Sequence, residues 1–191
     1  TAPDHPRLLA IITGACAAAG ANIVDAQIFT TTDGMALDTI SVSRAFENDE
    51  DELRRAARVA RSIEQALKGD IRIAEVVASE HKKRSNHKAF QVLSEVVVDN
   101  ALSSRTTVVE VSGLDRPGLL YELTTALGRL NLNIASAHIA TFGEKAVDVF
   151  YVTDLTGSKV LHAGRIKTIE STLKSILESP HETKTAAQTS K

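Results

Sequence analysis

Two corners of the sequence carry the same residues at the same spacing. Asp4, Pro6, Leu8 and Leu9 return 111 positions later as Asp115, Pro117, Leu119 and Leu120, and each corner is followed by an Asn-Ile pair, Asn22-Ile23 and Asn133-Ile134. An acid and a proline ahead of a leucine-rich run suit the start of a helix. Proline lacks the N–H that would be unpaired there, and the acid meets the positive end of the helix dipole. Such a start offers free N–H groups to a small carboxylate, and an asparagine amide, which donates and accepts, suits the polar end of an amino acid. The competing reading is structural: Asp caps, Pro starts the helix and Asn turns the chain. Repetition tilts the balance toward binding, because the helix faces between these ends diverged and the ends did not. Gly118 would let a ligand approach the backbone of the second corner, having no Cβ. Its counterpart in the first copy is Arg7, so the second copy is the better ligand candidate.

No other chemistry is spelled out. Cys16 aligns with Leu127 and reads as a small core residue rather than a nucleophile. The six histidines are scattered without metal-ligand spacing, and His138 with Asp148, on consecutive strands, reads as a surface pair. The basic run HKKRSNHK, His81 to Lys88, has no interleaved aromatics and reads as a solvated loop. No phosphate loop, dinucleotide fingerprint or nucleophile elbow is present. The catalytic and metal sets are therefore expected to be empty.

The elements that must position the corners follow from periodicity. Leu8, Ile11, Ile12, Ala15 and Ala19 recur at helix spacing, as do Leu119, Leu120, Leu123, Leu127 and Leu130. Val24, Ala26 and Ile28, then Ala135, Ala137 and Ile139, alternate as strands do. Turns at Asp33-Gly34 and Gly143-Glu144 lead into returning strands ALDTISV and AVDVFYV, with Asp38 and Asp148 in the same slot. A second helix closes each unit, from about Asp49 to Lys68 and around Ile166 to Leu177. The second unit has a first strand, Thr106 to Ser112; its fourth is expected from the N-terminal side, as residues 90–98 folding back antiparallel. The first unit begins only three residues ahead of Asp4, so its N-terminal strand is absent or a stub. The chain is on this ground expected to be part of something longer, its first unit completed by another segment or molecule.

Composition fits an α+β protein of two small domains with an aliphatic core: 43% hydrophobic, 4% aromatic and no Trp. One Cys rules out an internal disulfide and suits the cytoplasm. A net charge of −2 gives no reason to expect nucleic acid, and no apolar run is long enough for a membrane span. The expected boundaries are 1–80 for the first domain, 81–89 for a basic linker, 90–178 for the second and 179–191 for a disordered tail.

The β-α-β-β-α-β arrangement, with DRPGLL opening the helix, resembles the ACT domain, a ferredoxin-like (βαββαβ) sensor of small molecules. The phrases DAQIFTTTDGMALDT and FGEKAVDVFYV are similar to the C-terminal tandem ACT region of the family of bifunctional PII uridylyltransferase/uridylyl-removing enzymes. The resemblance implies a regulatory, non-enzymatic chain with L-glutamine as effector. It implies catalytic domains elsewhere in the parent as partners, the PII protein as the parent's substrate, and Mg2+ only in those domains. It also implies ACT–ACT pairing within the chain and raises pairing as a homodimer, with neither nucleic acid nor membrane as partner. The ligand corner of the family falls on Asp115, Arg116, Pro117, Gly118 and Leu119 with Asn133 and Ile134, and a secondary set on Asp4, Pro6, Leu8, Asn22 and Ile23. The alternative is a stand-alone tandem regulator of another small amino acid. An RNA-binding reading ranks low, since RNA-recognition sheets of this topology need exposed aromatics in basic surroundings.

Overall fold

The alternating residues after each Asn-Ile pair form long antiparallel strands, and the helical runs lie across one face of the resulting sheet. The computed structural model describes residues 2–3, 7–71, 73, 75, 77 and 92–178. In chain order the elements are β1 (Ala2–Pro3), α1 (Leu8–Ala18), β2 (Ile23–Thr30), β3 (Met35–Val42), α2 (Asp49–Lys68), β4 (Glu95–Asp99), β5 (Thr107–Leu114), α3 (Leu119–Arg129), β6 (Leu132–Phe142), β7 (Lys145–Asp154) and α4 (Ala163–Glu178). Among the described residues the strands form one seven-stranded sheet, ordered β1-β3-β2-β6-β7-β5-β4. Every neighbouring pair is antiparallel.

Local chemistry sets the ends of these elements. Asn48 caps α2, its side chain accepting from the Glu50 N–H at 2.9 Å, and Gly69 closes it at φ 82°, a left-handed conformation that glycine adopts without strain. The acidic first turn of α2 pairs Glu50 with Arg54 at 3.4 Å. The Asn-Ile pairs mark matching irregularities: the ladder register shifts between Ile23 and Asp25 in β2 and between Ile134 and Ser136 in β6. Both are β-bulges at one place in the repeat, which bend the strand as it leaves the helix.

Of the strand expected over 90–98, residues 95–98 form β4 together with Asp99; residues 92–94 are not strand, and 90–91 lie outside the described residues. β4 runs antiparallel to β5, from Glu95↔Ser112 to Asp99↔Val108. In the first unit the stub β1 pairs Ala2 with Ala36 and Pro3 with Met35. That is the register of Gly113↔Ala146 and Leu114↔Lys145 in the second unit. The expected linker and tail also fall outside the described residues.

The two units meet edge to edge through β2 and β6. The pairing runs from Asp25↔Ala140 to Phe29↔Ser136 and is centred on Gln27↔His138, which are equivalent in the repeat. A pseudo-twofold axis therefore passes between them. Above it, α1 and α3 pack together, and the equivalent hydroxyls of Thr13 and Thr124 lie 3.3 Å apart. On the helix side the seam buries Ala26 against Ile139 and Ile28 against Ala137, each 5% exposed or less. Burying each isoleucine is worth about 1.5–3 kcal/mol. Leu9, Ala26 and Ile28 of the first unit share a core with Leu119, Leu123, Leu127 and Phe150 of the second, so the units are held as one body.

Candidate functional site

The second corner lies where β5 hands over to α3. The Asp115 N–H donates to the Glu144 carbonyl at 2.8 Å, which holds the corner against the β6–β7 turn. Gly118 follows at φ 80°, ψ −1° and stands at the N-cap of α3. This left-handed step is the reason a glycine is required there. No side chain caps α3. The Leu119 N–H turns back to the Arg116 carbonyl at 3.0 Å and the Glu122 N–H to the Gly118 carbonyl at 3.0 Å. The Leu120 and Tyr121 N–H groups, orphaned by the helix geometry, have no acceptor among the described residues.

Asp115 is not the helix cap that the structural reading of the corner assigned to it. The antiparallel run of β2 against β6 brings the side chain of Asn22, across the boundary between the two units, near enough to favour its charged form. The sequence set placed Asn133 and Ile134 beside this corner, and the structure separates them. Asn133 pairs with Thr153 and Ile134 with Val152, whereas the corner sits by Glu144, at the opposite end of β6 and β7. The physical reason is the helix: α3 carries the chain back across the sheet, so β6 begins far from the residues that opened α3. Phe142 is nine residue steps along β6 from Asn133, roughly 30 Å. The antiparallel run of β2 against β6 brings Asn22 of the other unit to the corner instead. Asn22, given to the secondary set, lies beside the second corner.

The remaining residues divide by role. Arg116 turns away from the corner: its guanidinium is bidentate to Glu122, at 3.0 and 2.5 Å, and also donates to the Ile176 carbonyl at 3.2 Å, tying the corner to α4. Pro117 is half-buried, and the Leu119 side chain, 2% exposed, points into the core. In the first copy, Leu8 is buried likewise and Ile23 packs partly against both cores. Asp4 and Pro6 lie outside the described residues. Arg7 is the N-cap of α1 at φ −109°, ψ 2°, so its backbone does not take the left-handed step of Gly118.

The residue missing from the sequence set is Asp148. It lies on β7 between Ala146 and Phe150 on the helix-covered face, 2% exposed, and its Oδ1 has no hydrogen-bond partner among the described residues. Burial and then the neighbouring charge of Asp115 push its carboxyl up to about 7, against a hydrogen bond from the Ala140 backbone. Asp115 is also raised, by burial, against the Asn22 side chain and then the N–H and charge of Arg116. The signal for Asp148 was visible: an acid inside an apolar strand, in the same slot as Asp38. His138 does not pair with it. It is opposite Val149, on the other face of the sheet, with its ring 6.0 Å from that of Tyr151 in an edge-on contact. Burial pushes the Cys16 thiol up to about 11, which removes it as a nucleophile.

A groove of about 740 Å³ lies elsewhere, between α3 and α4 along Tyr121, Thr125, Arg129 and Ser171. It gathers no buried acid or amide, and the corner is the better candidate on its chemistry. Among the described residues, no group of three or more metal-ligating side chains occurs, and no helix is long and apolar enough to cross a membrane.

Comparison with known sequences matches each of the two units to an ACT-domain model. The ACT domain family matches residues 1–65, and the ACR family N-terminal ACT domain matches residues 102–179. A bifunctional uridylyltransferase/uridylyl-removing enzyme from Bradyrhizobium sp. (strain BTAi1) is 60% identical over 98% of this chain. Enzymes of the same name from Rhodopseudomonas palustris and Nitrobacter hamburgensis are 60% and 59% identical over 92% and 90% of it. The chain spans about a fifth of the length of these relatives, 20%, 19% and 18% respectively.

Proposed function

Because the chain is a tandem pair of ACT domains whose sequence runs with the C-terminal region of bifunctional uridylyltransferase/uridylyl-removing enzymes, we propose that it is the glutamine-sensing, regulatory part of such an enzyme. In this reading the parent is cytoplasmic and its other domains transfer UMP to, and remove it from, the PII signalling protein. Any Mg2+ belongs to those domains. The observation that carries the reading is the antiparallel run of β2 against β6, which brings Asn22 of one unit to the Asp115 corner of the other, so that both units line the candidate site. The free N–H groups of Leu120 and Tyr121 suit the carboxylate of an amino acid, and the acids below suit its ammonium.

Regulation follows from linkage. A ligand that bridges the units favours one arrangement of the pair, and that preference biases whatever is joined to it. The test is calorimetric titration of this chain with L-glutamine, with L-glutamate and L-asparagine as controls. Saturable binding preferring L-glutamine is expected. Preference for a control would favour the stand-alone regulator of another amino acid, and silence with all three would defeat the sensor reading.

A further inference from the structure

We infer that the second corner takes its ligand as a cation, in exchange for a proton held by the buried carboxyl of Asp148, so that binding releases that proton to solvent. The inference rests on the reading of the corner as an amino-acid site and adds to it the class of group that enters and the residue that selects it.

The geometry is one deeply buried acid, Asp148, beside a half-buried one, Asp115, and it is Asp148 that no cation offsets. Asp148 lies on β7 and Asp115 at the end of β5, close enough for the charge of one to act on the other. What surrounds Asp148 on its own face is apolar. β6 presents Ala137 and Ile139, β5 presents Val111, β7 presents Ala146 and Phe150, and α3 presents Leu119. The charged groups nearby are committed or turned elsewhere. Arg116 is held by Glu122 and the Ile176 carbonyl, and its charge acts on Asp115 rather than on Asp148; Asn22 is neutral. Glu110, His138 and Asp25 are exposed on the opposite face, and Glu144 and Lys145 are exposed at the β6–β7 turn. On α1 the last turn carries no basic residue.

An ionised Asp148 would thus be a desolvated charge with one backbone N–H for company, a costly state in an apolar layer. It remains half protonated near pH 7 for that reason. An entering ammonium supplies the missing positive charge and the donor that Oδ1 lacks. The Asp148 O–H then gives its proton to the buffer, the ammonium keeps its own three, and no covalent bond to the ligand forms or breaks. Asp148 is in this sense a specificity-determining residue, selecting amines over their des-amino analogues.

The test is calorimetry of the chain with L-glutamine at pH 7 in phosphate and in Tris, whose ionisation enthalpies differ. Wild type and Asp148→Asn are compared, and glutaramic acid, which lacks the α-amino group, is the second probe. About half a proton released per bound glutamine is expected in the wild type, with less at pH 8 and more at pH 6. Asp148→Asn should release almost none and bind about tenfold more weakly, and glutaramic acid should bind at least about a hundredfold more weakly. Equal heats in the two buffers for the wild type, which needs no variant to fold, would overturn the inference and leave the sensor standing. Glutaramic acid binding as tightly as glutamine would do the same. No binding by either probe would remove the sensor reading and the inference together.

Discussion

Arg7 and Gly118 occupy the same step of the same motif, and the chain passes through them differently. At Arg7 the backbone enters α1 at φ −109°; at Gly118 it enters α3 at φ 80°. Neither helix has a side-chain cap. One residue therefore sets how the chain approaches each helix, and with it where the first free N–H groups aim. Across the pseudo-twofold axis the repeat kept its symmetry where the units touch, at Thr13 and Thr124 and in the Ala–Ile pairs of β2 and β6. It gave the symmetry up at the corners. A duplicated unit can preserve the packing that joins its halves while only one half stays fitted to a ligand.

The widest gap between the corners should appear on exchanging their distinguishing residues. Gly118→Arg forces a side chain into the left-handed step, at about 1–2 kcal/mol, and fills the approach to the backbone. L-glutamine affinity should fall by about a hundredfold or more by calorimetry, whereas Arg7→Gly should change it less than about twofold. Equal losses would mean that both corners serve one site.

The second contrast is in pH dependence. The folded-state value of Asp148, about 7, lies above its ordinary value of 3.8, so the native chain binds the extra proton between those limits. Its contribution is fully present below about pH 4 and is lost as pH rises through 7. The melting temperature of Asp148→Asn should exceed that of wild type by several degrees at pH 8 and match it near pH 4. The same change at Asp38, which is only half-buried, should shift melting less.

A third contrast separates the two asparagines. Asn22→Ala removes the amide beside Asp115 and should weaken binding about tenfold, while Asn133→Ala, at the far end of β6, should leave this site within about twofold. The smallest effect belongs where the units agree. Thr13→Val and Thr124→Val each remove one hydroxyl of a buried pair, and each should cost about 0.5–1 kcal/mol, a fall of roughly 1–4 °C in melting. Unequal losses there would show that the axis is less symmetric than the coordinates.

Much of this was legible in the residues. Helix spacing, strand alternation and the Asp33-Gly34 turn sufficed to place α1, β2, β3 and α2, and an apolar run ahead of Thr106 located β4 on the proper side. What was not legible was which ends meet. A 111-residue offset shows that Asn22 and Asn133 are equivalent but not which corner each one serves. That depends on the antiparallel run of β2 against β6, a contact between units. Asp148 stood out as an acid among Val147, Val149 and Phe150. Its protonation, however, follows from the layer that α3 and the seam build over it, which no local pattern encodes. Thr13 and Thr124 are also identical at the 111-residue offset, but identity at a helix position does not say whether it faces the core, water or its own repeat.

Hydrogen–deuterium exchange of the chain with and without L-glutamine addresses most directly the claim that one site spans the two units. Protection confined to two segments is expected, residues 115–122 around the start of α3 and residues 20–24 around Asn22, with no change at 131–135. Protection at 131–135 without 20–24 would place the ligand within the second unit alone and contradict the site described above.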